Sequence, residues 1–145
     1  MRRALSLLSL LALAACASSP TANSQLDQEG KQFLHPAPDK GAIYVYRQGL
    51  MGMVRPVDVT VAGGAPAKLG HKTYLRVDGP PGPIEVACRA GDGTNARQVE
   101  VQPGQTRFVA VSMSAGLLGP GCEVAEVSPD EGRSAVMGAR RVQWQ

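Results

Sequence analysis

The sequence predicts a mainly β protein, an antiparallel β-sandwich or small barrel of seven to eight short strands with one C-terminal helix. Three observations carry that expectation. Apolar β-branched and aromatic residues recur in short, partly alternating runs, Gly or Pro bounds most of them, and one helix signature stands near the C-terminus. Strands and turns follow one another without intervening helical patterns, which excludes βαβ units.

The β region opens at Ala42, where Ile43, Tyr44, Val45 and Tyr46 follow one another. Val57, Val59 and Val61 alternate with Asp58 and Thr60, a period of two with one wet face. Gly63-Gly64 is a turn, Ala67 to Leu69 a short strand and Thr73 to Val77 another. Asp78 to Pro83 contains three prolines and is expected to turn, because a ladder lacks donors there. Ile84, Val86 and Cys88 share one strand face; Arg97 to Val101, Thr106 to Met113 and Cys122 to Val127 are the remaining strands. The helix signature is Ser128-Pro129-Asp130-Glu131: a hydroxyl at the N-cap, proline at the first position and carboxylates in the first turn. Ala135, Val136 and Ala139 are expected to face the sheet, with a stop near Gly138 and Arg140 and Arg141 at the negative end of the dipole.

The N-terminus reads as an export signal. Arg2 and Arg3 precede a short run of apolar or small residues that ends Leu13-Ala14-Ala15-Cys16. Such a run is too short to span a bilayer core of about 30 Å. The junction resembles the bacterial lipobox, which implies cleavage before Cys16 and acylation of that cysteine. Ala17, where inner-membrane lipoproteins commonly carry Asp, points by the same resemblance to the outer membrane, with the domain facing the periplasm. The expected organisation is therefore 1–15 leader, 16–41 lipid anchor, tether and lead-in, and 42–145 the β domain with its helix. Ser24 to Leu34 is expected to form one or two helical turns within that lead-in. Without the leader, 13 bases face 12 acids, so the net charge falls from +3 to +1. No Lys/Arg cluster outlines a nucleic-acid surface.

Cys88 and Cys122 then lie in an oxidising compartment, and the alternation of each strand points both inward. A disulfide is expected, closing about 35 residues. No cofactor or metal is expected. His35 and His71 are the two histidines, both in loops, and no cysteine, histidine or acid cluster has ligand spacing. Gly91 to Ala96 formally matches a dinucleotide fingerprint but leads into a strand, so it reads as a hairpin turn. Ser112 and Ser114 lack the glycine context of a nucleophile elbow, and alternation puts Glu123 and Glu126 on opposite faces. No catalytic set emerges, and a non-enzymatic role is expected.

The order and spacing of Ala42–Arg47, Gly70–Tyr74, Pro81-Gly82, Gly104–Val109 and Val127–Gly132 resemble a widespread family of small bacterial lipoproteins built on a domain of unknown function. Arg107-Phe108 departs from the two successive aromatics of that pattern. The resemblance implies a lipid-anchored β-sandwich without known catalysis, and it carries over no ligand. The function expected is that of an envelope lipoprotein binding another envelope protein or supporting an assembly. Leu50, Met51, Leu117 and Leu118, in two Gly-bounded apolar loops, are the candidate contact residues. The alternative is a small-molecule or glycan binder using Tyr44, Tyr46 and Arg47.

Overall fold

The computed structural model describes residues 21–144; the expected leader, 1–15, and the expected lipid-attachment residue Cys16 lie outside them. Among these residues nine strands form two sheets, with two helices beside them. The first sheet contains β1 (Gly41–Gln48), β4 (Thr73–Gly79), β7 (Thr106–Gly116), β8 (Gly119–Val127) and the two-residue β9 (Arg140–Arg141), in the order β8-β7-β1-β4-β9. The second contains β2 (Val57–Val61), β3 (Ala67–Leu69), β5 (Gly82–Ala90) and β6 (Gly93–Val101), in the order β3-β2-β5-β6. Two separate sheets decide for the sandwich over the barrel.

The core between the sheets follows the period of two. Ile43 and Val45 of β1, Leu75 of β4 and Val109 and Val111 of β7 face Val57, Val59, Val86, Val99 and Val101 of the other sheet. On the far side of the first sheet, Tyr44, Tyr46, Tyr74, Phe108 and Ala110 form a second cluster under the helices α1 (Ser24–Gly30) and α2 (Pro129–Met137). Strand β1 is thus covered on both faces, and seven of its eight residues are buried. That is why its sequence is a continuous apolar run.

Both helices approach the aromatic layer through glycine. A Cβ at Gly132 would run into the ring of Phe108, and one at Gly30 into the hydroxyl end of Tyr74. Ser128 caps α2 by accepting from the Glu131 amide at 3.3 Å. Val136 and Ala139 are buried against the sheet, as the spacing predicted.

Four expectations need correction. The first sheet is mixed: β1 pairs antiparallel with β4 but parallel with β7, and β9 is parallel to β4. Pro83 belongs to β5, where it is tolerated because β2 pairs with β5 only between Val86 and Arg89 and leaves proline without a neighbour on that side. Arg140 and Arg141 are β9, not the end of α2, because the chain leaves the helix at Gly138. Finally, the lead-in belongs to the folded domain from Thr21 onward, and residue 42 is no boundary. Thr21 bridges Val142, the Ala22 amide donates to the Arg141 carbonyl at 2.9 Å, and the Arg141 amide donates to Asp27 Oδ1 at 2.8 Å.

Candidate functional site

The Cys88–Cys122 disulfide is present and joins the two sheets, from β5 to β8, with Cα atoms 6.2 Å apart. Both cysteines are buried in the sandwich core, where alternation placed them.

Topology gathers one set of loops at one end of the sandwich. Strands β1 and β7 run in the same direction and finish there, so the β1–β2 loop (49–56) and the β7–β8 turn (117–118) lie side by side. Met51 and Arg55 from the first line a shallow cleft with Gly116, Gly119 and Pro120 from the second. Here Leu117 and Leu118 are fully exposed, Val54 is 90% and Leu50 73% exposed, and Met51 and Met53 are about half exposed. Six of the nine large exposed hydrophobics among the described residues thus belong to two neighbouring loops. Scattered exposed apolar residues are ordinary, whereas contiguous ones mark a contact surface. The four candidate contact residues are therefore exposed and gathered; Met53 closes the apolar run 49–53 read from the sequence, and Val54, the residue after it, was missed.

Tyr44, Tyr46 and Arg47 do not form a site. Tyr44 is 0% exposed, sealed by Phe33, Tyr74 and Phe108, and stacks on Phe108 at 5.1 Å between centroids. Its hydroxyl donates to the Gly30 carbonyl at 2.7 Å and accepts from Arg76 Nη1 at 3.1 Å. Burial pushes the Tyr44 phenol above its ordinary pKa, although Arg76 pulls the other way. Tyr46 is raised by burial and then by the charge of Glu131. Arg76, directly across from Tyr44 on β4, is the cation at this ring, 5.4 Å from its centroid.

Arg47 points to the opposite face of β1 and is 5% exposed. It donates to the Gln48 carbonyl and to the Met51 carbonyl, each at 2.7 Å. Burial lowers its pKa. Its geometry makes it the clamp at the base of the apolar loop: both terminal nitrogens donate to backbone carbonyls, while Nε is buried without a partner.

His35 is an exposed loop residue; His71 is half-buried, with Nδ1 shielded from solvent and unpartnered. Among the described residues no group of His, Cys, Asp or Glu is placed to hold a metal ion, and no helix is long and apolar enough to cross a membrane.

No family model matches the chain, so the resemblance read from the spaced motifs rests on those motifs alone. No solved structure matches it either. The chain is similar to an uncharacterized protein of Haemophilus influenzae, 23% identical over 131 residues, which cover 87% of this chain and 75% of that one.

Proposed function

We propose that this protein is a lipid-anchored, non-enzymatic lipoprotein of the cell envelope, acylated on Cys16 in the outer membrane and facing the periplasm. It works by binding within the envelope and supporting an assembly there. The leader supports the anchor through the order of its parts: two arginines, an apolar run, then Leu13-Ala14-Ala15-Cys16. The Cys88–Cys122 bridge fits an oxidising compartment. The single observation that carries a binding role is the gathering of Leu50, Met51, Met53, Val54, Leu117 and Leu118 in two adjoining loops.

Two measurements test this reading. Cys16→Ser is expected to abolish labelling by a fatty-acid analogue; continued anchoring of that variant through a salt wash would refute the lipoprotein assignment. Tagged protein from detergent-solubilised envelopes is expected to retain a stoichiometric partner. A monomer whose melting point instead rises with members of a glycan panel would refute the assembly role.

A further inference from the structure

We infer that the apolar end of the sandwich seats in the phospholipid surface that holds the acylated Cys16, so that the domain stands on the membrane on its β1–β2 and β7–β8 loops. This rests on the lipid anchor proposed above and names what the apolar end touches.

The position of the chain's start argues for it. Thr21, the first described residue, lines the same surface cleft, about 560 Å³, as Met53 and Val54 of the apolar loop. Cys16 is five residues before Thr21, and a fully extended chain spans at most about 3.6 Å per residue, or roughly 18 Å in all. An anchor that short brings this end of the domain to the lipid. The opposite end, formed by the 62–66 loop and the β4–β5 and β6–β7 turns, is held away by the length of the strands.

The chemistry of the two ends differs in the same sense. At the near end Leu50, Met51, Met53, Val54, Leu117 and Leu118 project from loop tips. The loops and strand ends here also carry Arg55, Lys72 and Arg140, all exposed, with the acids Asp92 in the β5–β6 turn and Asp27 beside Arg140. Apolar tips ringed by bases suit the boundary between acyl chains and anionic headgroups, where an apolar face is buried by about 5–10 Å. At the far end Ala62-Gly63-Gly64-Ala65-Pro66, Pro80-Pro81 and Gln102-Pro103-Gly104-Gln105 carry no large aliphatic side chain, and the segment that enters β1 there contributes a single exposed one, Leu34.

The molecule contains its own ruler. Its single tryptophan, Trp144, donates from Nε1 to the Ala65 carbonyl at 2.7 Å and therefore sits toward the far end. The test uses the full acylated protein reconstituted into phosphatidylethanolamine–phosphatidylglycerol vesicles with brominated acyl chains. Wild type is compared with a Trp144→Phe, Leu118→Trp variant, each confirmed by intact mass and vesicle flotation. The indole at position 118 is expected to lose about half of its emission or more, as a side chain seated about 5–10 Å deep lies beside the bromines. Trp144 in wild type is expected to keep its emission. An acylated, floating variant whose indole is unquenched would overturn this inference alone. Protein that carries no acyl mass and does not float would overturn the anchor and this inference together.

Discussion

Removing the inter-sheet bridge measures how strongly the two sheets depend on one another. In a Cys88→Ala, Cys122→Ala variant the unfolded chain regains the freedom of a loop of about 35 residues, worth roughly 4 kcal/mol on the loop-entropy account. Both cysteines are buried, at 2% and 5% exposure, so loss of their sulfurs also leaves a small void that costs on the order of 1 kcal/mol. Folded domains are stabilised by roughly 5–15 kcal/mol in total, so a loss of about 4–5 kcal/mol is a large share of the whole. The assay is urea unfolding of wild type and variant, followed by far-ultraviolet circular dichroism. The midpoint is expected to fall, and the slope to steepen because an uncrosslinked denatured chain exposes more surface. A loss below about 1 kcal/mol with an unchanged slope would refute the reasoning, since it would mean that the bridge constrains nothing in the unfolded ensemble. Alkylation of non-reduced wild type under denaturing conditions supplies the control, with neither of the two cysteines expected to react.

Leu50→Asp, Leu117→Asp and Leu118→Asp should each shift stability by no more than about 0.5 kcal/mol, whereas Leu75→Asp, in the core, should unfold the domain in the same melting assay. Arg47→Met removes the two bonds that hold the base of the apolar loop, so amide exchange should accelerate in residues 49–55 while β1 stays protected. Asp27 gives a pH signature: burial opposes its charge, but Lys31 at 2.9 Å and the Arg141 amide outweigh that, and its pKa lies below the ordinary 3.8. A depressed carboxylate contributes stability above the unfolded pKa and loses it as pH falls through the folded one. Stability should therefore decline below about pH 4 with a component that Asp27→Asn abolishes, measured by denaturant midpoints across acid pH.

The strands were legible because their evidence is local. Val57 to Val61 shows its two faces in five letters, and the inward phase of Cys88 and Cys122 follows from their neighbours Val86 and Val124. Neighbours in a sheet are another matter. Alternation reports which face a residue takes but not which strand lies beside it, so the parallel pairing of β1 with β7 left no trace in the pattern. The run Ala42 to Tyr46 has the continuous apolar character of a strand buried on both faces, but it was read only as a strand, and the helices that cover it were not inferred from it. Arg47 shows the limit for the candidate site. Its parity with Val45 turns it away from Tyr44 and Tyr46, which a period of two makes visible, but its two carbonyl partners depend on how the following loop folds back. The apolar loops were legible as composition; that they adjoin required the sheet order.

The placement of β1 bears on how the chain reaches its fold. This strand is synthesised early, yet its two partners begin only at Thr73 and Thr106. Hairpins β5–β6 and β7–β8 can close from adjacent sequence, whereas β1 must wait for segments far along the chain, an order that slows folding. Until Thr106–Gly116 is free to pair, β1 has an open edge and half of an aromatic layer to offer to any neighbour. The risk of misassociation is thus concentrated in the incompletely folded chain, and it ends when β7 slides in beside β1.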